Sequence, residues 1–325
     1  MLRSLVRPLT RALIGARARL ENRIDPPVVV LLYHRVAVLA DDPDLLAVTP
    51  DRFREQLIWL KSRFPVIRFE AEWSDGDKPA VVITFDDGYA DNFHIALPIL
   101  SELDIPATFF VTSGQLDCGE EFWWDELVRL LPGTDAKAPV LEVPAGQSTD
   151  RLDVSTASAR QTAYWNVHQR LLSAPVTVRR GVVAALRDWR GSDGTVRESH
   201  RALSSSELTR LAGNPLVTIG AHTVSHTRLS VLDVEAQRME IAESKTDLET
   251  RIGRPIEVFA YPFGGRRDYT SESIALCKEA GFRKAASNFP GNAHRWTDPL
   301  QIPRHLVRNW NVEEFSLRVE SFFAR

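Results

Sequence analysis

Three short stretches of this chain are continuous apolar runs, broken only by Thr84 and Thr108: VVVLLY within PPVVVLLYHRV (Pro26–Val36), AVVITF from Ala80, and the run inside PATFFVTSG from Pro106. A strand with one wet face alternates apolar and polar residues. A strand without that alternation is buried on both sides. Helical patterns separate the runs. DRFREQLIWLKSRF carries apolar residues at 53, 57, 60 and 64 behind a Thr49-Pro50 start signal, and NFHIALPILSELDI follows the second run. Buried strands joined by helices imply a parallel sheet with packing on both faces.

The rhythm breaks over about 117–203. EFWWDELVRLL reads as helix, then a Pro/Gly/Thr/Ala-rich linker, then amphipathic stretches at AYWNVHQRLLSA and VVAALRDW. This segment is expected to be a mainly helical insertion without a second core. Regular units resume with LVTIGAHT, DVEAQRMEIAESKTDLETRIG, VFAYPFG, SESIALCKEAG, RKAASN and LQIPRHLV. About seven strands and as many helices exceed what most open sheets use. The expectation is therefore α/β class, with a closed or nearly closed (β/α) barrel over 26–322 whose chemistry sits at the C-terminal strand ends.

At 44% hydrophobic and 26% charged, the 325 residues can build a sizeable core, and a net charge of −3 gives no basic field to gather nucleic acid. Cys118 and Cys277 lack metal-ligand or disulfide spacing, which favours a reducing compartment. Residues 1–25 form a basic segment with Arg3, Arg7 and Arg11 beside Leu2, Val6, Leu9 and Leu13. It lacks the apolar core of a signal peptide. It suits an anionic membrane surface or packing against the body. A cytoplasmic protein, peripheral at the inner membrane face, is the corresponding expectation.

Polar residues interrupt the apolar runs where they end: His34, Asp86 and Asp87, His222 and His226, and the turn Tyr261-Pro262-Phe263-Gly264. In a parallel barrel all lie on one rim. One carboxylate (Asp87) and two imidazoles (His222, His226) can hold a metal ion and leave positions open. The four-residue spacing suggests that one helical turn aims both rings at one point. The lesser alternative is a pair of solvated or helix-capping histidines, and Asp91 is a candidate cap for the next helix. A cation on Asp87 would relieve its repulsion with Asp86, leaving Asp86 free to act as a base on an acidified water.

TFDDGY, HTVSH and FAYPFG resemble the first three motifs of the polysaccharide deacetylase family (carbohydrate esterase family 4, the NodB-homology domain). The likeness runs over about 28–320 and covers 117–203 poorly. YHRV and FWWDEL resemble a bacterial branch often associated with exopolysaccharide biosynthesis. The resemblance implies a distorted (β/α) barrel of seven strands. It implies Asp86 as catalytic base, Asp87, His222 and His226 as ligands of one divalent ion (usually zinc), and Thr223 as a brace. The Phe263 N–H falls where the family has an oxyanion donor.

Two departures stand out. Ala260 occupies the place of the family's third-motif Arg, with Arg304 or Arg308 as candidate substitutes, and the late Leu-x-His motif is unclear. For the general acid, the early-YH branch points to His34 over His305. His94, His168, His200 and His294 receive no role, and Trp123 and Trp124 could stack on sugar or anchor the insertion.

The expected function is metal-dependent removal of acetyl from an N-acetylated sugar. The alternatives are O-deacetylation, hydrolysis of a non-sugar amide, a catalytically silent carbohydrate-binding protein, and a surface-bound assembly factor.

Overall fold

The computed structural model describes residues 21–73, 77–131, 138–145 and 148–323. Most of the basic segment expected over 1–25 lies outside the described residues. Its last turn, at 21–24, is helical, and Asn22 Nδ2 donates to the Phe323 carbonyl at 2.7 Å. No described helix is long and apolar enough to cross a membrane.

Seven parallel strands form one sheet: β1 Val28–Tyr33, β2 Ala80–Phe85, β3 Ala107–Val111, β4 Val217–Ala221, β5 Val258–Ala260, β6 Lys284–Ala286 and β7 His305–Leu306. Their spatial order is β6-β5-β4-β3-β2-β1-β7. The sheet curls until its edges meet at a single level, where Ile302, just before β7, pairs with Ala286 of β6. The Ile302 N–H donates to Ala285 O at 2.9 Å and the Ser287 N–H to Ile302 O at 2.8 Å. LQIPRHLV thus shrinks from the expected full strand to two residues, because Pro303 has no N–H to give and 299–302 turn toward β6.

Besides the turn at 21–24 there are nine helices, six against the sheet and three (α3, α4 and α5) in the insertion: α1 Pro50–Arg63, α2 Leu97–Glu102 (after a π-helical turn at Asn92–Ala96), α3 Trp123–Leu130, α4 Ala157–Leu171, α5 Val176–Arg190, α6 Ser205–Ala212, α7 Val234–Ile252, α8 Ser271–Glu279 and α9 Val312–Phe323. They are counted among the described residues.

Strand periodicity sorts the side chains into two layers. Val29, Leu31, Tyr33, Val81, Ile83, Phe85, Phe109 and Val111 face the helices in one apolar cluster. Val28, Val30, Val82, Phe110, Val258, Ala260 and Ala286 form the barrel interior. On strand after strand the inward residues are the even-numbered ones, so Asp86, His222, Arg304 and Leu306 follow the interior face while His305 faces out. Interior side chains are small where the barrel is tightest: a Cβ on Gly220 would sit 2.4 Å from a Phe110 ring carbon.

Two expectations about the insertion need correction. Part of the stretch read as linker is an antiparallel hairpin, Val140–Ala145 paired with Ser148–Asp153. The insertion also has a core of its own: Leu127, Leu130, Leu141, Val143, Val154, Tyr164, Leu171, Val182 and Leu186 form a cluster distinct from the barrel core. Each of α3, α4, α5 and the hairpin has one apolar stripe, and the stripes bury one another.

Candidate active site

The rim site is assembled by four sharp main-chain turns, each at a functional side chain. Asp86 still pairs with the sheet, its N–H donating to Tyr33 O at 3.1 Å. The chain then enters the left-handed region at Asp87 (φ 75°) and Gly88 (φ 88°). Gly88 is required there, since a Cβ would meet Val111 at 3.0 Å. Thr223 (φ 63°), His226 (φ 52°) and Phe263 (φ 61°) are the other non-glycine left-handed positions of the site. A non-glycine residue pays for that conformation, and such residues cluster where function over-determines the geometry. The HTVSH segment is therefore a kinked loop and not the helical turn its spacing suggested; left-handed residues at 223 and 226 bring the two rings together.

Asp87, His222 and His226 present ligand atoms that all lie within 4.8 Å of one another. Asp87 Oδ1 is 3.3 Å from His226 Nε2 and 3.7 Å from His222 Nε2. The His222 Nδ1–H is positioned to donate to Ala260 O at 2.7 Å, which turns the Nε2 lone pair toward Asp87. Burial lowers His222 to about 4, and burial followed by the Arg179 charge lowers His226 to about 3. Both rings are neutral at pH 7. Asp87 is 2% exposed, its Oδ1 accepts no hydrogen bond, and burial raises its pKa. Three lone-pair donors aimed at one buried point are costly alone and suited to a divalent cation. The residues present therefore fit such an ion.

Asp86 has a different environment. Arg304 Nη1 and Nη2 donate to its two oxygens at 2.7 Å each, a bidentate pair with the guanidinium fully buried. Arg304 is fixed in turn by Ser287 O at 2.7 Å. Against the upward push of burial, the Arg304 charge, with help from His222, brings Asp86 down to about 2. Arg308, the other candidate, donates to the Asp44 and Leu45 carbonyls instead. The guanidinium on Asp86 thus comes from the residue just before β7, the edge strand beside β1.

His34 lines the same cavity as these groups, and burial lowers its pKa. His305 points outward and stacks on Phe322 of α9, with ring centroids 3.8 Å apart. The Phe263 N–H has no acceptor among the described residues. Thr223 Oγ1 accepts the His226 N–H at 3.1 Å. Asp91 caps no helix; it accepts from Arg35 Nε at 3.0 Å and Val36 N at 3.1 Å, tying the YHRV segment to the turn after TFDDG.

The cavity, of about 240 Å³, opens between this rim and the insertion. Trp124 anchors: it is 6% exposed, and its Nε1–H donates to Tyr89 OH at 2.7 Å, which donates to Asp125 at 2.7 Å. Its ring also packs on His226 at 4.9 Å. Trp123 lines the cavity. So do His168 and Asp44, 3.5 Å apart, to which the sequence assigned nothing. A lone His on a helix far along the chain carries no signal of where an insertion folds back.

A family model described as polysaccharide deacetylase matches residues 74–132 and 189–285. The break falls in the insertion, and the matched segments contain Asp86, Asp87, His222, His226 and Phe263 in the geometry just described. The chain belongs to the polysaccharide deacetylase family. This family member is 27% identical over 92 residues to YxkH of Bacillus subtilis (strain 168), a polysaccharide deacetylase by name; the match spans 28% of this chain and 31% of that protein. Among solved structures, IcaB from Ammonifex degensii superposes with a TM-score of 0.58 at 18% identity, covering 93% of this chain and 98% of that one. The Streptococcus pyogenes deacetylase PplD, in complex with acetate, gives 0.57 at 17%, covering 90% and 98%. These likenesses establish a shared barrel; Arg304, His34 and most of the insertion lie outside the matched segments.

Proposed function

We propose that this deacetylase-family chain is a metal-dependent hydrolase that removes acetyl from an N-acetylated sugar in a glycan or glycan precursor. The observation that carries the reading is the buried, unpartnered Asp87 oxygen facing two neutral imidazoles, beside a second carboxylate clamped by Arg304. Asp87, His222 and His226 would hold one divalent ion, and their oxygen–nitrogen donor set suits zinc. When bound, such an ion acts as a Lewis acid that acidifies water and polarises an acyl oxygen.

The chain's own groups account for the remaining steps. Asp86, kept ionised by Arg304, accepts the proton of the water that attacks the acetamide carbon. A carboxylate held near 2 is a weak base, so it needs a water made acidic by its surroundings. The Phe263 N–H donates to the oxygen on which charge develops. The proton that Asp86 has taken then passes by way of His34 to the departing nitrogen; burial lowers the pKa of His34, which favours handing the proton on over keeping it. Water adds, the C–N bond breaks, and acetate and a free amine leave. The family name and the acetate found with the Streptococcus relative support the acyl group.

Bound metal per chain, measured by elemental analysis in the wild type and in His226→Ala, tests the reading. About one zinc per chain, lost in the variant, is expected. A wild type that stays metal-free after zinc is supplied would sink it.

A further inference from the structure

His222 and His226 are held in different ways. The His222 ring is fixed through its own Nδ1, on Ala260 O at 2.7 Å. The Nδ1 of His226 is buried and has no partner. Metal-ligating imidazoles nearly always have their second nitrogen fixed by an outer group. Here the constraint falls on the main chain of His226, which sits in the left-handed region at φ 52°. Its N–H is taken by Thr223 Oγ1 at 3.1 Å. Its carbonyl accepts from Arg179 Nη1 at 3.1 Å, and the same nitrogen lies 3.3 Å from Thr227 Oγ1.

Arg179 stands in the first turn of α5, in the insertion and outside the residues that the family model matches. It is 3% exposed and has no carboxylate within ion-pair distance among the described residues. Its donors go to carbonyls: Nε to Leu171 O at 2.9 Å and Nη2 to Leu172 O at 3.3 Å, both at the end of α4, and Nη1 to His226. Burial opposes its charge, Glu240 favours that charge only from beyond ion-pair distance, and burying a guanidinium without a paired counter-charge is expensive. Fork geometry is what lets one side chain join two helices and a ligand loop.

We propose that Arg179 is a positioning residue: by holding the His226 main chain in its left-handed turn, the insertion sets the aim of one metal-ligand ring. The inference rests on the metal reading of Asp87, His222 and His226. It gives the insertion a role in building the metal centre besides walling the cavity.

Zinc affinity, measured on the full chain by competition with a chromophoric chelator, tests it, together with the visible absorption of the cobalt-substituted protein. Arg179→Met is expected to weaken zinc binding by about 10- to 100-fold and to shift the cobalt spectrum. Arg179→Lys, which keeps a charged donor, should recover part of the loss. Arg170→Met is the control: Arg170 is an insertion arginine whose hydrogen bonds go to Asp150 and the Pro144 carbonyl and not to His226, so its loss should leave both readouts unchanged.

If Arg179→Met does not fold, Arg179→Gln, whose amide falls short of the His226 carbonyl, carries the same expectation. A folded Arg179→Met or Arg179→Gln that binds zinc within twofold of wild type, with an unaltered cobalt spectrum, overturns the proposal. Equal losses in Arg170→Met overturn it too, since they would reflect general loosening of the insertion. A wild type that binds no zinc fails at an earlier step and overturns the metal reading itself.

Discussion

Two neighbouring aspartates differ in every respect that matters to them. Asp86 shares its charge with a buried guanidinium, while Asp87 has an unsatisfied oxygen and two imidazoles for company. Sequence adjacency therefore says nothing about shared titration; strand parity sends Asp86 inward, and the left-handed turn sends Asp87 toward the histidines. Removing the partner of a buried charge costs more than the pair contributes. Arg304→Ala should lose about 3–5 kcal/mol of stability in urea unfolding. It should also lower deacetylation at least 100-fold, because Asp86 would be neither oriented nor reliably ionised. Wild-type stability in that variant would show that the Arg304–Asp86 pair is dispensable.

Among the elements, α6 shows how local signals and tertiary contacts combine. Ser204 and Glu207 form a capping box, with each side chain bonded to the other's main-chain N–H. Glu207 also receives Arg201 at 2.7 Å and His94 at 2.5 Å. Against the upward push of burial, these hydrogen bonds bring Glu207 down to about 2 from 4.5. A depressed carboxyl stabilises the fold above its unfolded pKa, and that contribution is lost as pH falls through 4.5 toward 2. With Glu207 12% and Arg201 24% exposed, the effect should be about 1–2 kcal/mol. Urea unfolding at pH 7 and pH 3 should show Glu207→Gln less stable than wild type at pH 7, with a narrower gap at pH 3. A gap independent of pH would mean that the shift is not the source. His94, assigned no role from the sequence, belongs to this surface cluster and not to the active site.

For the molecule as a whole, the site joins two cores. The barrel supplies the acids and histidines, and the insertion closes the cavity through Trp123, Trp124 and His168. A ligand bound by residues from the turn after β2 and from the loop after β4 stabilises the folded state by mass action, about 4 kcal/mol when free ion is a thousandfold over Kd. Chelation of the zinc-loaded protein should lower Tm by several degrees, and re-addition of zinc should restore it. His226→Ala should show neither change by calorimetry. An unaltered wild-type Tm would argue that no ion is held there.

What could be read from the residues alone was whatever depends on local periodicity or on a short motif. Uninterrupted apolar runs announced buried parallel strands, and polar residues at their ends marked the rim, because a strand's exit point is a local property. The grouping of Asp87, His222 and His226 was legible for the same reason. Their convergence was not: the four-residue spacing suggested a helical turn, and the chain uses left-handed residues whose conformation only the surrounding barrel enforces. Arg304 could be named but not chosen over Arg308, since which strand faces which across a barrel depends on closure and register. The insertion's own core, the Arg179 clasp on His226 and the placing of His168 in the cavity were decided by tertiary structure alone. Each is a contact between segments far apart in the chain, and no period within either segment encodes its partner.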